Sequence, residues 1–141
     1  MTLENLLGSA LEKIQQDPVN INRLIVAARR SLADAQLEQM SSEGRFDMAY
    51  KSIMQAANAA LQANGFRTLT SKPGHHVTMI QTLTTTVGLE RPFMITLDGL
   101  RKIRNLSDYS GDPVSDAMAC EAVAHARRLL GEVESWIARK T

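Results

Sequence analysis

The stretch Phe46-Asp47-Met48-Ala49-Tyr50-Lys51-Ser52-Ile53-Met54-Gln55-Ala56-Ala57-Asn58-Ala59-Ala60-Leu61 carries the clearest evidence about the fold. Its apolar and small residues recur at intervals of three and four, which is the spacing of one face of an α-helix. These residues are Phe46, Ala49, Tyr50, Ile53, Met54, Ala57, Ala60 and Leu61. The stretch therefore predicts a long helix with one core-facing side, capped by Ser41 or Ser42, that runs to Asn64 and stops at Gly65.

The same periodicity predicts five further helices, and no convincing strand is found. They span Leu3–Gln16, Ile21–Met40, Gly74–Gly88 after a loop over Gly65–Pro73, a segment from Pro92, and a last segment from Asp112-Pro113 to about Arg139. Asp17-Pro18 is predicted to end the first helix and Asn20 to cap the second. Long helices with short connections can bury their apolar stripes only against one another. We therefore expect an all-α antiparallel up-down bundle of five to six helices, forming a single domain over residues 1–141.

The composition is that of an ordinary globular protein. Of its 141 residues, 44% are hydrophobic, 22% are charged and 4% are aromatic, and the net charge is +1. With no strong overall field, any contact with RNA must be local. Cys120 is the only cysteine, so no disulfide can form within the chain, and we expect a buried, inert thiol. Neither a membrane span nor a signal peptide is visible, which predicts a cytoplasmic protein.

A dense polar cluster lies near the end of the predicted fifth helix. Run as a helix from Gly99, the segment places Leu100, Ile103 and Leu106 on one side. The other side groups four polar residues at spacings of three and four, namely Arg101, Arg104, Asn105 and Asp108. Such a cluster can bind a phosphate or a partner protein. In the structural alternative, Arg104 and Asp108 form a solvated surface pair.

Two histidines, His75 and His76, stand in the first turn of the predicted fourth helix. Adjacent helical residues point about 100° apart, so we expect at most one of the two to face any given site. One histidine can reach the polar cluster across the bundle or a dimer; alternatively, one packs or caps locally and the other is solvated. Two adjacent histidines without cysteines or spaced carboxylates are no zinc pattern. We predict no metal site and no cofactor.

The cluster resembles the signature of HEPN domains, which are small all-helical proteins of bacterial and archaeal defence and toxin systems. Their motif is Arg-Asn-x-x-x-His, and this sequence has Arg104-Asn105-Leu106-Ser107-Asp108-Tyr109. Gly74-His75-His76 after the long helix is similar to a HEPN branch whose motif ends in Asp-Tyr. The resemblance covers roughly residues 20 to 135.

The resemblance implies a homodimer whose shared cleft cleaves RNA without metal, through attack of a ribose 2′-OH on the adjacent phosphate. Arg104 is then the catalytic cation, Asn105 orients the motif or a phosphate, and Tyr109 takes the catalytic position of the histidine. On a straight helix, Arg104 and Tyr109 point about 140° apart, so they converge only if the helix ends or bends near Asp108, or if each faces a different subunit. A phenol titrates near pH 10 and is a poor base at neutral pH.

The first hypothesis is therefore a HEPN-like protein of a bacterial defence or toxin–antitoxin type system. It would bind RNA or nucleotides through the cluster and His75 or His76, with cleavage weakened or absent. One alternative is a non-catalytic protein-interaction module, including a partner of a nucleotidyltransferase. Another is an active metal-independent endoribonuclease, which requires that Tyr109 or a histidine replaces the missing base.

Overall fold

The computed structural model of the chain describes residues 2–71 and 73–140. Its helices are α1 (Pro18–Asp34), α2 (Ser42–Ala63), α3 (His75–Gln81), α4 (Leu83–Thr86), α5 (Arg91–Ser110) and α6 (Asp116–Lys140). A short 3-10 turn (Glu4–Leu6) and two strands, β1 (Leu11–Lys13) and β2 (Phe66–Thr68), complete the described elements. The prediction of an all-α helical bundle is confirmed. No helix among the described residues is long and apolar enough to cross a membrane.

Helix α2 is the centre of the bundle. It packs most extensively against α1 and α6, and its buried side includes the whole predicted stripe. Six of its buried residues are alanines, namely Ala49, Ala56, Ala57, Ala59, Ala60 and Ala63. Small side chains allow neighbouring helices to approach closely, while Phe46, Tyr50 and Ile53 supply the bulk of the core on this helix.

Successive long helices run in opposite directions, as the up-down prediction requires. The start of α1 meets the end of α2, because Asn20 donates a hydrogen bond to Gln62 over 2.6 Å. Helices α2 and α6 consequently run parallel: Ser42 at the start of α2 bonds Asp116 at the start of α6. At the other end, Lys140 donates to the carbonyl of Ala63.

The predicted first helix over Leu3–Gln16 is wrong, and so is the expectation of no strand. The segment forms the 3-10 turn and β1, which pairs antiparallel with β2. Gly8 has a φ of +83°, a left-handed conformation that stops a helix. Of the apolar residues that imitate a helical stripe, Leu3 and Leu11 are buried instead in a small separate core with Leu61 and Phe66, whereas Leu7 is exposed.

Asp17-Pro18 begins a helix rather than ending one. The Asp17 carboxylate accepts from the backbone N–H of Val19 at 3.0 Å and of Asn20 at 3.4 Å, so Asp17 caps α1. Asn20 is therefore no cap, and α1 ends at Asp34, earlier than the predicted Met40.

The second Asp-Pro pair has the opposite outcome. Asp112-Pro113 does not start the last helix, which begins at Asp116. Ser115 caps the start of that helix, because its hydroxyl oxygen accepts a hydrogen bond from the backbone N–H of Met118 at 3.1 Å. Asp112 is exposed and lies in the connection between α5 and α6.

The structure also differs from the predictions at the fourth helix, the loop after α2 and the cysteine. The predicted fourth helix is divided into α3 and α4 at Thr82, whose hydroxyl bonds the carbonyls of Thr78 and Met79. The predicted loop over Gly65–Pro73 contains β2, and its residue Lys72 lies outside the described part of the chain. Cys120 is exposed rather than buried.

Candidate functional site

Helix α5 carries a charged residue, Arg104, on the side that faces the core. Phe93, Leu97 and Leu100 are buried at spacings of four and three. Arg104 follows four residues later, so it continues the same stripe as Leu100. The prediction of an apolar side that includes Leu106 is wrong, because Leu106 is 53% exposed. The guanidinium carbon of Arg104 lies 5.0 Å from the centre of the Tyr50 ring on α2. The stripe therefore passes from hydrophobic packing to a cation–π contact where the core meets the surface.

Arg104 is loosely paired with carboxylates. Its Nε lies 3.7 Å from Asp108, four residues along α5, and 4.0 Å from Asp47 on α2. The surface pair with Asp108 that the sequence offered as an alternative is thus present. Since 36% of the Arg104 side chain is exposed and both ion pairs are long, its guanidinium keeps hydrogen-bonding capacity for an incoming anion.

Arg101 is held more firmly. Its Nε lies 2.8 Å from the carboxylate of Asp98, and only 20% of its side chain is exposed. This hydrogen bond raises the pKa of the Arg101 guanidinium and lowers the pKa of Asp98. Lys102 adds a second, more exposed cation 3.7 Å from Asp98. Arg101 is therefore a fixed cation whose direction is set by Asp98.

A surface cavity of about 230 Å³ brings α3 and α5 together. It is lined by Gly74, His75, His76, Val77, Arg101 and Asn105. The expectation that at most one histidine faces the site is wrong, because both line this cavity with Arg101 and Asn105. They reach the cluster within one chain, since α3 packs against α5. The cavity combines a guanidinium, an amide and two imidazoles, a set that suits an anion with several oxygens.

Tyr50 connects the cavity with Arg104. The hydroxyl of this nearly fully buried residue lies 3.2 Å from Nδ1 of His76. Burial raises the pKa of Tyr50 to about 12, and the nearby Arg104 offsets only part of this effect. Burial also lowers the pKa of His76, with further contributions from His75, Arg104 and Arg101. At neutral pH, Tyr50 is therefore a phenol, and His76 is biased toward the neutral imidazole.

Tyr109 lies away from this group. It is 88% exposed, and α5 continues to Ser110, so no helix end or bend at Asp108 turns Tyr109 toward Arg104. The geometry brings Arg101, Arg104, Asn105, Asp108 and the two histidines into one region. Tyr109 does not join them within the chain.

Sequence reasoning placed Tyr50 in the core stripe and gave it no role at the site. That placement is confirmed by its burial, but its hydroxyl and ring join two other elements to the site. The available signal was a phenol on a stripe of alanines and aliphatic residues, because a buried hydroxyl requires a hydrogen-bond partner.

A family model described as HEPN domain matches residues 21–136 of the chain. This match spans the described bundle from α1 to α6 and includes every residue of the site. The chain therefore belongs to the HEPN domain family. A comparison with curated proteins gives no match.

Proposed function

We propose that this HEPN domain binds RNA or a nucleotide through its Arg-Asn-x-x-Asp-Tyr cluster, with cleavage weakened or absent. The carrying observation is the convergence of Arg101 and Asn105 with His75 and His76 on one open cavity. Arg104 lies one residue before Asn105, with 36% of its side chain exposed. Guanidinium and amide donors in this arrangement suit phosphate oxygens, which accept charge-assisted hydrogen bonds.

The weak-cleavage part of the proposal rests on Tyr109. A phenol at the position of the motif histidine has its proton firmly bound at neutral pH, so it is a poor acceptor for the proton of a 2′-OH. Its full exposure leaves it available to stack on a nucleobase or to contact a second copy of the chain.

A homodimer is the proposed assembly, and a second copy of the chain is the proposed partner. Ile95, Leu106 and Tyr109 are all exposed and lie on one face of α5, at spacings of eleven and three. This face is opposite the side that carries Arg104. A dimer through it would place Tyr109 of each copy at the interface, while the two Arg104 sites face away from it. A nucleotidyltransferase is a further proposed partner, and a defence or toxin–antitoxin setting in the cytoplasm is the proposed context.

The test is the affinity for a fluorescein-labelled single-stranded RNA, measured by anisotropy in EDTA. Arg104→Ala is expected to weaken binding by about tenfold or more, since it removes a charge-assisted contact. The slope of log affinity against log salt should also fall by about 0.7, the value for one lost phosphate contact on a single strand.

Arg91→Ala is the matched control. It removes the same charge from an exposed position at the opposite end of α5, far along the helix from the cavity. It should leave both affinity and slope close to wild type. Equal effects of the two variants, or no binding by the wild-type protein, would contradict the proposal and favour the protein-interaction alternative.

A further inference from the structure

The buried hydroxyl of Tyr50 needs a hydrogen-bond acceptor for its hydrogen. Tyr50 is 2% exposed, so its hydroxyl hydrogen has little access to solvent. Within residues 2–71 and 73–140, the one acceptor at hydrogen-bond distance is Nδ1 of His76, at 3.2 Å. Arg104, the other polar neighbour, carries only donors and can approach the phenolic oxygen but not its hydrogen. The phenol must therefore donate to Nδ1.

This assignment determines where the proton of the neutral imidazole lies. A neutral histidine has one protonated and one unprotonated ring nitrogen. Because Nδ1 accepts from Tyr50, the proton is carried by Nε2. No described residue hydrogen-bonds Nε2, while His76 lines the cavity together with Arg101 and Asn105.

We propose that Tyr50 fixes His76 in the tautomer protonated at Nε2, so that His76 acts with Arg101 and Asn105 as a hydrogen-bond donor to phosphate oxygens. This inference rests on the proposed function and deepens it, because it names the recognised group. Tyr50 is a positioning residue that acts through His76. The recognised chemistry is a phosphate, either the diester of an RNA backbone or the monoester of a nucleotide.

The lowered pKa of His76 is consistent with this role. Burial is the main cause, and the neighbouring side chains of His75, Arg104 and Arg101 also disfavour a positively charged imidazole. His76 therefore contributes a directed N–H rather than a charge, as neutral imidazole electrophiles do in some enzymes. The same tautomer leaves no free lone pair on His76, so His76 cannot accept the proton of a ribose 2′-OH while Tyr50 holds it. Binding without efficient cleavage follows.

Long-range proton–nitrogen NMR of the full chain at about pH 8 reads the tautomer directly, since neutral His76 dominates there. Nδ1 of His76 is expected to show the chemical shift of an unprotonated nitrogen and Nε2 that of a protonated one. Tyr50→Phe, which keeps the ring and removes only the hydroxyl, should produce a mixture of the two tautomers. A protonated Nδ1 in the wild-type protein would overturn the inference.

The binding affinity of His76 and Tyr50 variants tests the inference in a second way, with a labelled single-stranded RNA and AMP as probes. His76→Gln places an amide N–H near the position of Nε2 and should stay within about twofold of wild-type affinity. His76→Ala removes the donor and should weaken binding by about three- to tenfold. Tyr50→Phe should also weaken binding, but by less than His76→Ala. His125→Ala, on α6, is the control and should bind like wild type. Loss for RNA alone identifies a diester; loss for AMP as well identifies the phosphate of a nucleotide.

The inference and the proposed function fail differently. If wild type binds neither probe, the proposed function fails and the inference falls with it. If wild type binds and Arg104→Ala does not, but His76→Ala binds as tightly as wild type, the proposed function stands and the inference alone is overturned. Equal losses in His76→Gln and His76→Ala would likewise overturn the donor role.

Discussion

Arg104 occupies a position where the spacing of α5 calls for an apolar residue. It follows Phe93, Leu97 and Leu100 on the same stripe, and burying a charge there without partners would be costly. The Tyr50 ring and two carboxylates compensate, while about a third of the side chain reaches solvent. A cation in this situation is rigidly placed on one side and available on the other, which is what recognition of an anion requires.

Asp108 competes with any anion for Arg104. Its carboxylate lies 3.7 Å from Nε of Arg104, and it also repels a phosphate that approaches the guanidinium. Asp108→Asn is therefore expected to raise the affinity for single-stranded RNA by about two- to fivefold, a modest effect because the pair is half-exposed. Anisotropy at low salt measures it.

Asp112→Asn is the control for this substitution, since it makes the same chemical change at an exposed residue just beyond α5. A similar gain in both variants would show that only the overall charge matters. A loss of affinity in Asp108→Asn would mean that the carboxylate supports the site.

Among the elements, the two Asp-Pro pairs show why local signals mislead. Both have the residue types of a helix start, yet Asp17 caps α1 and Asp112 caps no described helix. After Asp112-Pro113, Val114 is buried and its backbone N–H donates to Glu43 on α2, a contact between distant parts of the chain, whereas Val19 after Asp17-Pro18 is exposed. The N-terminal segment fails for a similar reason, because its apolar pattern suits a helix and β2 offers it a strand partner.

At the site too, the sequence predicts contacts within one helix but not contacts between elements. Arg101, Arg104, Asn105 and Asp108 could be grouped from the sequence, because spacing within one helix fixes which side chains share a face. Their neighbours on other elements could not be derived in this way. The hydrogen bond between Tyr50 and His76 joins α2 to α3 across 26 positions, and no periodicity encodes it.

Because Asp17 caps a helix and Asp112 caps no described helix, Asp17→Ala and Asp112→Ala should lower the free energy of unfolding by different amounts. Asp17→Ala removes the acceptor for two backbone N–H groups of α1 and should lower the free energy of unfolding by about 1 kcal/mol. The midpoint of thermal unfolding should fall by about 3 °C. Asp112→Ala should change both quantities by less than about half as much. Thermal and urea unfolding followed by circular dichroism compare them, and equal losses would refute the assignment of the cap.

For the whole molecule, the exposed stripe of α5 predicts a homodimer. Ile95 and Leu106 are 57% and 53% exposed on one face of α5, and we propose that this face contacts a second copy of the chain. Leu106→Glu should convert the dimer to a monomer in light scattering at micromolar concentration. Val19→Glu, at an exposed position of α1, is the control and should leave the dimer intact. A monomeric wild-type protein would contradict the proposed dimer.

The central claim is that the Arg104 cluster holds RNA by its phosphates with little or no cleavage. One gel experiment tests it: a labelled single-stranded RNA is incubated in EDTA with wild type or Arg104→Ala, and both mobility shift and chain length are read. Wild type is expected to shift the RNA and leave it intact, and Arg104→Ala is expected not to shift it. RNA that wild type cleaves and Arg104→Ala leaves whole would show an active ribonuclease, and the absence of any shift would show that the cluster does not bind RNA; either result contradicts binding without cleavage.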